Sequence, residues 1–262
     1  MLARLPQIGS INLTDFRKVR FLLALNLKKL QAVARRKLQL KGVVEWRSLS
    51  KDQQAFLGKG YLSVRSSGMS HVIMYSDVSL FDEVDVYHEL CKAKLYEMGF
   101  LTIEMAALSA MRDCTKDDQK YIRDANSAVT IVMETLVNTL LFSFFQEESK
   151  AKRELMSLRF ESSDALTTLH TQMGFWGIAG VSYHLAASLN SKVPFPTELV
   201  ENAIERASDA KEIWKEYEMV NSLLQELPKL EFKVVERISD QDGMQITDII
   251  TRLFSTKTGL DC

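Results

Sequence analysis

The run from Ala128 to Phe145 constrains this chain more than any other segment. It is longer than an ordinary strand and apolar almost throughout, yet it carries Glu134 and Asn138 in its middle. A lipid-facing carboxylate at that depth would be costly, so the run reads as the buried helix of a soluble protein and not as a membrane span. A carboxylate in such a helix needs a partner. Buried alone, it costs several kcal/mol or shifts its pKa until it is neutral. A metal, a lysine or a buried arginine would each serve.

Punctuation elsewhere is sparse, with eleven Gly and four Pro in 262 residues, which favours helix over a turn-rich sandwich. With 46% apolar and 26% charged residues, the chain can bury a sizeable core. The pattern predicts an α+β protein, predominantly helical, as a single domain over 1–262. Thr14 and Asp15 start a helix that runs to about Lys41, with Gly42 as its stop. Val43–Leu49 is a short strand and Leu49–Leu57 a short helix capped near Ser50. Tyr61–Val64 and His71–Tyr75 flank a turn at Ser66-Ser67-Gly68, giving a small antiparallel sheet. Helices follow over Val78–Glu97, Leu101–Arg112, Asp117–Phe145 and Ser149–Leu158. A further one over Asp164–Asn190 is kinked near Gly174, Gly177 and Gly180. Thr197–Leu227 reads as one long helix ended by Pro228, Glu231–Ile238 as an edge strand, and Met244–Phe254 as a closing helix.

The net charge of −1 gives no bulk attraction to nucleic acid or to an anionic membrane, and no membrane partner is expected. Charge is nonetheless uneven. The first helix carries Arg17, Lys28, Lys29, Arg35 and Arg36, whereas Thr197–Leu227 carries an acidic run that includes Asp209, Glu212 and Glu216. Both read as solvated helix faces, with a basic surface for nucleic acid or an acidic partner as the alternative. Cys91, Cys114 and Cys262 form no CxxC pair, and no secretory pattern is evident. A cytoplasmic protein with reduced thiols is therefore expected. His170 and His184 are isolated in sequence and read as ordinary core or surface groups.

One segment carries the elements of a chemistry. His88-Glu89-Leu90-Cys91-Lys92 lies in the helix after the hairpin. It resembles the active-site helix of zincin-type zinc metallopeptidases, whose HExxH motif sets two His ligands one turn apart with a Glu between them as general base. The resemblance covers about residues 60–148, within a 43–148 core that leaves the helix before it and the mainly helical 149–262 without counterpart. It implies His88 as a metal ligand, Glu89 as the catalytic base and Glu134 as the ligand from a later helix. Lys92 stands where the second His belongs. A protonated lysine has no lone pair to give and repels a divalent cation. Cys91 and Asp85 are substitute ligands on spacing alone. Lys92 is otherwise expected to pair with Glu134 or Glu89 in place of the metal, with Asn138 on the same helix face as Glu134.

The implied protein is a degenerate metallopeptidase that binds a peptide or protein partner, with zinc as an optional cofactor. An active metal-dependent hydrolase with an unusual ligand set is one alternative. A helical regulatory protein working through its basic first helix is the other.

Overall fold

A computed structural model of the chain describes residues 27–58, 60–77, 80–115, 119–150, 163–191, 197–232 and 236–260. Among these, ten helices surround a three-stranded mixed sheet, so the fold is α+β and predominantly helical.

The first helix, α1, is described over 27–38. It stops before Lys41 because Gln39 turns into the left-handed region at φ 50°. The Arg35 guanidinium then donates to the carbonyls of Leu40, Lys41 and Gly42, at 2.6 Å for the last. The predicted start at Thr14 lies outside the described residues, as does Arg17.

Strand β1 (Val43–Ser48) leads into α2 (Lys51–Leu57), whose Ser50 and Gln53 form a reciprocal capping box. Then come β2 (Leu62–Ser67) and β3 (Ser70–Tyr75), joined by a tight turn in which Gly68 takes φ 58°. The sheet order is β1-β3-β2, with β3 antiparallel to β2 but parallel to β1. This corrects the expected antiparallel sheet. Helix α2 sets β2 down one position away from β1, and the hairpin then places β3 in the gap.

The helical part begins with α3 (Glu83–Glu97) and α4 (Phe100–Thr115), separated by Gly99 at φ 103°. Next is α5 (Gln119–Phe144), which is packed against α3, α4, the later α7 (Phe175–Ser191) and the closing α10 (Asp240–Thr258). Among the described residues α5 alone is long and apolar enough to cross a membrane, and 67% of that window is buried inside the protein. Its apolar length is used up by neighbouring helices.

Helix α6 (Ser163–Met173) turns at Gly174, φ 56°, into α7, so the expected kink is a full break. Gly177 lets the two close, since a Cβ there would meet the Leu169 carbonyl oxygen at 2.8 Å. The predicted helix Thr197–Leu227 is also two: α8 (Thr197–Glu205) and α9 (Ala210–Gln225). Ser208 and Asp209, residues that compete with helix by local bonding, sit at the break. Leu166, Ile178, Val200, Ile204, Ile213 and Tyr217 form a second hydrophobic cluster that holds α6, α7, α8 and α9 together. The edge strand expected over Glu231–Ile238 is absent among its described residues. The Ile238 N–H instead donates to the Met98 carbonyl at 2.9 Å.

Cys91 is a free, buried thiol, but Cys114 is disulfide-bonded, which corrects the expectation of three reduced cysteines. The predicted helix Ser149–Leu158 falls mostly outside the described residues.

Candidate functional site

Helix α3 starts with a capping box in which Asp82 accepts from the Asp85 N–H at 2.8 Å and Asp85 accepts back from the Asp82 N–H at 3.2 Å. Asp85 is therefore committed to the helix start and does not act as a substitute ligand. One turn on, Tyr87 stacks on Phe145 with ring centroids 4.1 Å apart, and its hydroxyl donates to Glu83 at 2.6 Å. This contact fixes α3 against α5, and the residues beside it face a common point.

There His88, Glu89, Lys92 and Glu134 close a ring of alternating charge. His88 Nε2 lies 2.8 Å from Glu134 Oε2, and Lys92 Nζ lies 2.8 Å from Glu134 Oε1. Lys92 Nζ and His88 Nδ1 are 3.2 and 3.3 Å from the same Glu89 oxygen, Oε1. The other Glu89 oxygen accepts the backbone N–H of Val64, on edge strand β2, at 2.8 Å. Every carboxylate oxygen of the ring thus has a donor. All four side chains are largely buried, with Lys92 15% exposed and Glu134 14%.

The electrostatics follow from this closure. Burial disfavours the Glu134 carboxylate, but the His88 hydrogen bond and the Lys92 charge outweigh it and hold its pKa down to about 2. Burial likewise opposes charge on His88, yet hydrogen bonds to Glu134 and Glu89 raise its pKa. Lys92 is raised and Glu89 lowered by the same mutual pairing, in each case against burial. An imidazolium donating from both nitrogens has no lone pair for a metal. A carboxylate saturated by three donors and lowered in pKa is a poor base toward water.

The other predicted members stand apart. Cys91 is fully buried in the main core, where desolvation raises its thiol pKa and keeps it protonated. Asn138 is buried and donates at 2.8 Å to the Glu134 backbone carbonyl, so it braces α5 instead of the carboxylate. Tyr183 on α7, missed in the sequence, is half-buried within the field of Glu134, and desolvation and that charge both push its hydroxyl pKa up. Its apolar helix gave no signal beyond a lone polar tip.

His71, on β3, belongs to a separate buried knot. Ser66 Oγ lies 2.8 Å from its Nδ1 and Glu97 Oε1 3.3 Å from its Nε2, while Glu97 also accepts the N–H groups of Lys41 and Gly42. A Cβ at Gly42 would stand 2.5 Å from His71 Nε2 and 2.6 Å from the Met69 carbonyl oxygen, so only glycine fits. The knot anchors the end of α1 to the sheet and the end of α3.

Of the basic first helix, Lys28, Lys29 and Arg36 are exposed, whereas Arg35 is spent on its own helix end. Lys37 pairs with Glu148 at 2.6 Å and Lys41 with Glu236 at 3.0 Å, so neither pairs with the acidic α8 or α9.

No family model matches the chain, and neither the curated proteins nor the solved structures include a match.

Proposed function

We propose that this chain is a metallopeptidase-like protein in which the Lys92 ammonium has taken the place of the catalytic zinc. One observation carries the reading: His88, Glu89 and Glu134 converge as a zincin site requires, and the cation among them is covalently part of the protein. The charge a metal would supply is already present, the imidazole is engaged at both nitrogens and Glu89 is saturated. No water-activating group is left, so the proposed role is binding, with a peptide or protein as partner. An extended peptide adding to β2 would have to displace Glu89 from Val64. Among the described residues strand β1 pairs on one side only, which makes it the edge proposed for such a partner.

The reading is tested by exchanging the cation. Elemental analysis of the purified wild type should find no zinc that depends on His88. Lys92→His should acquire a zinc ion that is lost again in the Lys92→His/His88→Ala double variant. Near-stoichiometric zinc in the wild type, abolished by His88→Ala, would overturn the proposal in favour of an active metal-dependent hydrolase with Glu89 as base.

The nucleic-acid alternative keeps only Lys28, Lys29 and Arg36 as exposed basic groups of those expected to serve it on the described part of α1. A salt-independent failure to retain nucleic acid would remove it. A cytoplasmic setting stays within the proposal, with bonded Cys114 as the observation against it. Alkylation in cells before extraction decides: a labelled Cys114 supports that setting, and a protected one removes it.

A further inference from the structure

A second group of metal-ligating side chains lies at the far end of the helical part. Glu212 and Glu216 are one turn apart on α9, so they share a face, and His170 approaches them from the last turn of α6. One donor atom from each of the three comes within 4.8 Å of the others. His170 Nε2 is 3.4 Å from Glu216 Oε2. Two donors on one tetrahedral zinc ion, at about 2.05 Å each, are separated by about 3.3 Å.

Two further observations bear on what this group can bind. Glu216 Oε2 is shut off from solvent and meets nothing better than the long approach of His170 Nε2 at 3.4 Å, although the carboxylate as a whole keeps 18% exposure. In addition, Asp209, at the N-cap position of α9, makes no side-chain bond to its own helix. Its Oδ2 instead lies 3.8 Å from His170 Nδ1, beyond hydrogen-bond distance but near enough to add negative charge to the group. Among the described residues no lysine closes an ion pair here as Lys92 does at Glu134, although the Lys257 charge acts to lower the Glu216 pKa. The nearest cause raising the Glu216 pKa is burial, which a bound cation would relieve.

We propose that His170, Glu212 and Glu216 form a binding site for a divalent transition metal of the zinc class. The imidazole favours zinc, cobalt or nickel over calcium or magnesium, which prefer oxygen donors alone. Three protein ligands leave a coordination position for water. The ion would strap the end of α6 to α9 across the second hydrophobic cluster. This inference does not depend on the reading of the His88 ring.

The test is zinc titration of the chelator-treated full chain by calorimetry, with thermal unfolding followed alongside. The expected result is one zinc per chain, a Tm that rises with zinc, and affinity at least about tenfold weaker in both His170→Ala and Glu212→Gln. His88→Ala should bind as the wild type does. Glu212 is exposed, so Glu212→Gln keeps the test sound where His170→Ala fails to fold. Absence of saturable binding would overturn the proposal, as would wild-type affinity in either ligand variant. So would calcium competing as well as cobalt.

Discussion

Two groups in this molecule are built from the same set of three residues, one histidine and two glutamates, and they are completed in different ways. At His88, Glu89 and Glu134 an ammonium sits between the carboxylates and every oxygen has a donor. At His170, Glu212 and Glu216 no ammonium forms an ion pair among the described residues, and Glu216 Oε2 is faced only by the His170 ring at 3.4 Å, with the Lys257 charge acting on it without pairing. The difference shows that His and Glu in proximity do not define a metal site. What decides is whether the protein has already supplied the positive charge. A buried carboxylate must be neutralised from within the chain or from solution.

The strongest way to break the contrast is to remove the internal cation. Lys92→Ala leaves two buried carboxylates with only an imidazolium between them, and should cost about 3–5 kcal/mol by urea denaturation. A loss below about 1 kcal/mol would place the ring among weak surface pairs and undo the comparison.

Acid should dissolve the same ring. The folded pKa of Glu134, about 2, lies below its ordinary 4.5. Its stabilising contribution is therefore present above pH 4.5 and fades as pH falls from 4.5 toward 2, by roughly 3 kcal/mol. His88 has the opposite sign. Its folded pKa is raised above 6.5, so its contribution is intact below 6.5 and is lost as pH climbs through the raised value. Stability measured against pH should fall on both sides, and Glu134→Gln should flatten the acid limb. An unchanged acid limb in that variant would assign the loss to other groups.

The smallest expected effect belongs to the other group. In metal-free protein, Glu216→Gln removes a carboxylate whose pKa burial has raised, and should stabilise by about 1 kcal/mol or less. Destabilisation instead would mean that the His170–Glu216 pair already satisfies itself without a cation.

The two groups were also unequally legible in the sequence. His88, Glu89 and Lys92 share one helix at short spacing, and Glu134 stands out as the sole carboxylate of an apolar run. Local periodicity brings the first three together on α3, whereas Glu134, on α5, was tied to them only by the resemblance. His170 joins α9 only through the folding of α6 against α7 and the break at Ser208-Asp209, neither of which a period of 3.6 residues reveals. The acidic run that holds Glu212 and Glu216 looks like any solvated face. Helix positions were readable for the same reason as the first group, through caps such as Ser50 and Asp82 and through stripes of apolar residues. The parallel pairing of β1 was not, because strand order depends on where α2 carries the chain. Nor was the knot of His71, Ser66 and Glu97, although Gly42 marked its place as a mere helix stop.

The bond from Val64 to Glu89 has a consequence for the chain in company with its own copies. An outer strand with open amides is a template on which another molecule can extend the sheet, and proteins guard such margins with charged side chains. Glu89 is this guard: a carboxylate that takes the Val64 amide and surrounds it with charge. Val64 is thereby closed to a further strand, and the margin left for another copy to extend is β1.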